Sequence, residues 1–378
     1  MPGGTAWSAQ GKHLFAAAVG ASSVSKSARN THLLELRPTQ EPKPGASPGG
    51  KVANMQRHRL TVFSRLLLLA ASVFLPACED KMAKTTPEWE ELTLPPKDPR
   101  YAFSVHTIHG TSGTDIWVGA SRYNLHFDGR QFVKVQNQVG RERAWRSVWA
   151  VSPTDVWAVG AHGSVAHFDG TAWREQKLDG VDYDLLYVIA WPNEVIVTAG
   201  GSELHRFDGK TWRQERPAEL ANASLHRPFG FSPNNLYVQV TKGKNGPPVA
   251  AHFDGTKWQL ETLGDRAGTV YVLHGSAPDD VWAAGKVNKT FGDGGQLLHF
   301  DGKTWSQAAL PVDEPLFDVY ATSKSQAWAC GKNGVILRWD GRQWVQSPSG
   351  TKQGLGALFA PPGGKPMVAT NEAVLRLK

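Results

Sequence analysis

Six Asp-Gly pairs at near-regular spacing, a Trp or Phe a few residues after each, and an apolar strand ahead of each predict an all-β fold, a seven-bladed β-propeller of four-stranded blades. The turn aspartates are Asp128, Asp169, Asp208, Asp254, Asp301 and Asp340, with successive separations of 41, 39, 46, 47 and 39 residues. A near-constant period of this size belongs to one repeat domain rather than to two or three separate ones. Composition agrees, since 15 Trp, 39 Gly and 24 Pro in 378 residues, of which 20% are charged, favour short strands and many turns over helices.

The elements follow in order along the chain. Residues 1–54, rich in Gly, Pro, Ser and Ala and without a sustained apolar period, read as a disordered or untranslated extension. Residues 55–77 have the layout of an export signal: a basic stretch from Met55 with Arg57, Arg59 and Arg65, then an apolar run from Leu66 to Leu75. That run is too short to span a bilayer as a mature helix. It ends in Leu75-Pro76-Ala77-Cys78, which resembles the lipobox of bacterial lipoproteins. The resemblance implies cleavage before Cys78 and a diacylglycerol thioether on its sulfur, with residues 78–87 as a tether. The alternative is a cytoplasmic helix that happens to end in cysteine.

This division also explains the charge. The chain has a formal net charge of +7 and a pI near 9.3, but residues 1–77 hold 9 Lys/Arg against 2 Asp/Glu. Subtracting these from the totals of 41 and 34 leaves 32 of each sign in 78–378. A nucleic-acid module gathers Lys and Arg on its folded part, so nucleic acid is not expected as the partner. With only Cys78 and Cys330 there is no disulfide framework.

From residue 88 onward each unit has four strands. The third and fourth flank the Asp-Gly pair, as in VAHFDGTAW and LLHFDGKTW, and Asp-Gly between alternating apolar segments predicts a tight type I′ hairpin turn. The second is the DVWAVG type, with apolar residues suited to burial on both faces; a shorter inner strand precedes it. The fourth-strand aromatic occurs seven times, at Trp89, Phe132, Trp173, Trp212, Trp258, Trp305 and Trp344, and the first stands before any Asp-Gly pair. The C-terminus has the complementary deficit: GLGALFAPP, PMVAT and AVLRLK supply three strands and the chain stops. We therefore expect residues 88–94 to pair with AVLRLK and close the ring, giving a monomeric propeller over 88–378 without exposed edges.

The D-V-W-A-V-G and H-F-D-G-x-x-W units resemble the Trp-rich propeller repeats common in myxobacterial envelope proteins. More distantly they resemble the Asp-box hairpins of sialidases, sortilin-type receptors and photosystem assembly factors. The Asp is followed directly by Gly and lacks the preceding Ser of an Asp-box.

Residues repeated in every unit serve the blade. His126, His167, Arg206, His252, His299 and Arg338 stand two before each turn aspartate, with Arg376 in the matching place of the open blade. We read them as solvated edge residues, against the alternative of an anion-attracting ring. His109, Trp149, Phe229, His274 and Tyr320 align along the inner strands as packing between blades, and Cys330 is a buried small residue. No nucleophile elbow, phosphate loop or metal-ligand spacing occurs, and no cofactor is implied. Asp179, Asp182 and Asp184 offer oxygen ligands for calcium but lack an EF-hand frame.

The connections on one side of the ring are short and uniform, whereas those on the other differ from blade to blade, over residues 136–146, 178–184, 215–228, 240–249 and 285–295. Loops set on a rigid scaffold are where binding residues gather. Arg141, Arg143, Trp145, Tyr183, His226, Arg227, Lys242, Lys244, Lys289 and Phe291 are thus the candidate partner-binding residues. The alternative is that these loops vary because nothing constrains them. The expected function is a lipid-anchored, non-catalytic envelope module for a protein or glycan partner; the second reading is a carbohydrate-active hydrolase or lyase.

Overall fold

The computed structural model describes residues 86–96, 103–121, 123–135, 145–241, 246–289 and 292–378. They form seven antiparallel four-stranded sheets, the blades of a β-propeller. Blades 1 to 6 begin with the inner strands Val105–Ser112, Trp145–Ser152, Tyr187–Trp191, Ser224–Ser232, Gly268–Ala277 and Leu316–Ser323, and each runs outward in sequence order. Blade 7 takes three strands from the C-terminus, Leu355–Phe359, Met367–Thr370 and Val374–Leu377. Its fourth member is Trp89–Leu92, with Trp89 opposite Leu377 and Leu92 opposite Val374.

The second strands show why the units stack. In Asp155–Gly160 every residue after the first is buried, because the strand is sandwiched between its own sheet neighbours and the two adjoining blades. Its Trp157 lies 5.5 Å from Phe207 and 6.3 Å from Trp212 of blade 3. Trp117 of blade 1 meets Phe168 and Trp173 of blade 2 in the same way, and Trp282 of blade 5 meets Trp339 and Trp344 of blade 6. The repeated D-V-W and F-D-G-x-x-W motifs are thus two halves of one blade-to-blade joint. Trp89 fills this role for blade 7, edge-on to Trp328 of blade 6 at 5.7 Å, with its Nε1 donating to Ser347 Oγ at 2.9 Å.

The Asp-Gly turns differ from the type I′ expectation. Only the glycines have positive φ, +90° at Gly129 and +88° at Gly170, while the aspartates do not. The paired strands end at Phe127 and Phe132, so the loop holds four residues rather than two. The Asp128 carboxylate accepts the N–H groups of Arg130 at 2.8 Å and Gln131 at 2.9 Å. A carboxylate that closes the loop this way needs Asp at its entry, not in a left-handed position. Asp169, Asp208, Asp254, Asp301 and Asp340 repeat the contact.

The histidine row is not a solvated edge. His126, His167 and His299 each donate from Nε2 to the aspartate that opens the second strand, at 2.7, 2.9 and 2.8 Å from Asp115, Asp155 and Asp280. Each ring also stacks on that strand's Trp, with centroids about 4 Å apart. Burial pushes the Asp115 carboxyl up, but the donors His126 and Thr111 hold it below its ordinary value. These three histidines brace the second strands while staying about a quarter exposed, and Arg338, in the matching place of blade 6, is exposed as a solvated edge residue is.

Candidate binding site at the channel mouth

The inner strands of all seven blades line a central channel with about 110 Å³ of free space. Register assigns its layers. Counting from the second strands, His109, Trp149, Ile189, Phe229, His274, Tyr320 and Phe359 occupy one level. His109 stacks on Trp149 at 4.0 Å and His274 on Tyr320 at 3.8 Å, and Phe359 touches both His109 and Tyr320. Both imidazoles accept a backbone N–H at Nδ1, from Ala150 and Ala321 of the following blades, each at 3.1 Å. Burial pushes both histidines down to about 3, so they are neutral. This belt is blade packing, as the aligned inner positions indicated.

Toward the variable face, one residue in most inner strands is squeezed out of register by a β-bulge, between Val105 and Thr107, Trp145 and Ser147, Val270 and Val272, and Leu316 and Asp318, among others. Bulges re-aim side chains and cluster at functional rims. Here they present His106, Arg146, Tyr271 and Phe317, and in blade 4 the irregular pair His226 and Arg227. The next level down holds Thr107, Ser147, Tyr187, Arg227, Val272, Asp318 and Ala357, a different residue in nearly every blade. The belt below is aromatic in six of seven blades and serves packing, whereas the mouth mixes cationic, acidic, aromatic and small side chains.

Two of these side chains make a single-copy charge pair. Arg227 of blade 4 reaches past blade 5 to Asp318 of blade 6, Nη1 to Oδ2 at 3.4 Å, with its Cζ 5.9 Å from the Tyr187 ring centroid of blade 3. Asp318 also accepts the N–H groups of Val319 and Leu358, both at 2.9 Å. Burial pushes the Asp318 carboxyl up, and Arg227 with the two N–H donors pulls against it. Desolvation works against the Arg227 charge, but Asp318 together with Tyr187 and Cys330 holds the guanidinium above its ordinary value. At the rim Arg146 pairs with Asp184 at 3.2 Å.

Of the sequence-predicted site residues, the structure brings His226 and Arg227 to the mouth. Trp145 is a correction: it is 4% exposed and packs on Trp173 at 4.3 Å, a core residue because it begins the inner strand rather than ending the loop. Tyr183 is on the variable face, but its hydroxyl donates to Glu203 at 2.8 Å and contacts His205 Nε2 at 3.0 Å, which fastens the 178–184 segment to blade 3. Lys289 lies not in a loop but in a ladder, opposite Gly292, where the second and third strands of blade 5 run on past the sheet. Cys78, Arg141, Arg143, Lys242, Lys244 and Phe291 lie outside the described residues. The calcium candidates diverge: Asp184 is engaged by Arg146 and the His162 N–H, Asp182 is 95% exposed, and no metal-binding cluster occurs among the described residues. Tyr187, Tyr271, Phe317 and Asp318 were missed. Aligning inner strands backward from D-V-W would have put Asp318 in a column of Thr, Ser, Val and Ala, but the bulges shift that count by one.

No family model matches the chain, and no curated protein matches it. Solved structures do. YCF48 bound to D1 peptide is 15% identical with a TM-score of 0.61, over 77% of this chain and 97% of that one. The Pan2 WD40 domain of Neurospora crassa is 12% identical with a TM-score of 0.59, over 76% and 95%. The GH74 xyloglucanase of Xanthomonas campestris is 12% identical with a TM-score of 0.54, over 76% and 53%. At these identities the likeness is one of fold, and the fold hosts both binding proteins and an enzyme.

Proposed function

We propose that this protein is a non-catalytic, lipid-anchored β-propeller of the bacterial envelope that holds a protein or glycan partner at the channel mouth of its variable face. The observation that carries the reading is the contrast between the two faces: the Asp-Gly turn repeats in six blades on one, while the mouth on the other carries His106, Arg146, Tyr187, Arg227, Tyr271 and Phe317 in successive blades. Varied, partly exposed aromatic and cationic side chains on a rigid rim suit recognition. The similar YCF48 structure holding a peptide is consistent with such use of this fold.

Against catalysis stands the chemistry of the mouth. Asp318 is the only carboxylate among the described residues that line the channel, and Arg227 and two backbone N–H groups engage it. Glycoside hydrolysis uses two carboxylates about 5–9.5 Å apart. The anchor rests on the Leu75 to Cys78 segment, and a tether from Cys78 to Glu88 of about ten residues, at roughly 3.3 Å each, keeps the ring within about 35 Å of the membrane. Acylation with more than one chain gives stable anchoring where one alone is marginal. Mass spectrometry of the mature N-terminus is expected to find a lipidated Cys78; an unmodified or earlier first residue contradicts the anchor. Photo-crosslinking from the mouth tests the binding half.

A further inference from the structure

Beside the channel mouth, between the inner strands of blades 3 to 6, lies a cavity of about 360 Å³. Its volume is within the range of roughly 300–1,000 Å³ typical of small-molecule sites. Three aromatic rings wall it, Tyr187, Tyr271 and Phe317, the last two 6.0 Å apart at an interplanar angle of 61°. Between them stand polar groups with no partner among the described residues: the hydroxyls of Tyr187 and Tyr271, the imidazole of His226, and Oε1 of Gln239, whose side chain is buried. Gln239 Nε2 alone is used, donating to Thr241 at 3.4 Å.

The charges around the cavity cancel. Arg227 in its wall is paired with Asp318, and Lys286, whose charge is felt at Tyr271, is paired with Asp293 at 2.7 Å. Burial holds His226 below its ordinary range, so its ring is uncharged at neutral pH and offers one donor and one acceptor. A charged ligand would meet no unpaired counter-charge here. A purely apolar side chain of a protein would stack on the rings but strand four polar groups out of water, which is unfavourable for each of them. The complement to aromatic faces edged with unpaired hydroxyl, imidazole and amide groups is a ring with C–H faces and an equatorial belt of hydroxyls.

We infer that this cavity is a subsite for a neutral sugar ring, stacked on the wall that the touching rings of Tyr271 and Phe317 form and hydrogen-bonded by the hydroxyls of Tyr187 and Tyr271, His226 and Gln239. The inference rests on the binding reading above and narrows its partner to an uncharged glycan. Saturation-transfer NMR on the mature chain tests it, with cellobiose, maltose, lactose and N,N′-diacetylchitobiose as probes. At least one probe is expected to bind saturably, with affinity in the millimolar range or better. Phe317→Ala and Tyr271→Ala should each weaken it by about tenfold, Tyr271→Phe by less, and Lys303→Ala on the opposite face not at all, with melting temperatures recorded for every variant. Tyr271→Phe keeps the ring and its packing, so it reports the lost hydroxyl even if an alanine variant does not fold. Absence of saturable binding by all four probes overturns the inference, as does binding indifferent to Tyr271 and Phe317. If the mouth crosslinks to a protein while no sugar binds, the sugar subsite falls and the binding reading stands; if neither occurs, both fall.

Discussion

Residues with the same letter do different work in this ring. The histidines beside the Asp-Gly turns donate to aspartates and lie on tryptophans, whereas His109 and His274 accept backbone N–H groups and are held neutral near 3 by burial. An imidazole whose folded pKa lies below its ordinary 6.5 contributes stability that is complete above that value. The contribution is lost as pH falls from about 6.5 toward 3, because the unfolded chain takes up the proton first. Asp318, raised by burial, works in the opposite sense, and the depressed turn aspartates add their own loss only below about 4. Between pH 7.5 and 5.5 each buried histidine is expected to remove about 1 kcal/mol, so the melting temperature should drop by about 5 °C. Melting curves of a His109→Gln, His274→Gln double variant should show a clearly smaller drop; an unchanged drop contradicts the assignment. The packing role of His109 and His274 was legible from their alignment along the inner strands, but their neutral state and the bonds of His126 were not, because those depend on which groups the blades bring beside each ring.

At the scale of elements, the strand pattern was readable because the constraint is local and repeated. Alternation and burial on both faces mark the second strands, and the closing Trp of each unit marks the fourth. What escaped was register. The inner strands carry bulges that insert a residue, so the mouth positions cannot be counted off from the motif, and Trp145 fell into a loop when it starts a strand. The Asp-Gly loops were placed correctly but shaped by the aspartate side chain rather than by backbone propensity alone. The strand Trp89–Leu92 gives the sharpest test at this scale. Its Trp89 is 3% exposed against Trp328, and Glu90 accepts two bonds from Arg376 at 3.0 and 2.7 Å. If that pairing seals the ring, Trp89→Ala costs about 3–5 kcal/mol and leaves the Val374–Leu377 edge prone to association. Denaturant titration with light scattering measures both; a loss below about 1 kcal/mol with no association contradicts closure by this strand.

For the whole molecule, the charge that dominates the composition has no place in the folded ring. Excluding residues 1–77 leaves 32 basic and 32 acidic residues, so the binding proposed here would rest on local side chains at one face rather than on a long-range field. The two faces are made of the same seven blades but differ in kind, one a repeated set of closed Asp loops and the other a rim of unlike side chains. That asymmetry is the basis for assigning binding to the mouth, and it can be tested without knowing the partner. A photo-reactive phenylalanine analogue is placed at Phe317 on the mouth in one preparation and at Lys303 on the Asp-Gly face in another, and each is irradiated in native envelopes. Crosslinked adducts resolved by mass spectrometry are expected from Phe317 and not from Lys303; equal capture from the two positions, or capture from Lys303 alone, contradicts a partner site at the channel mouth.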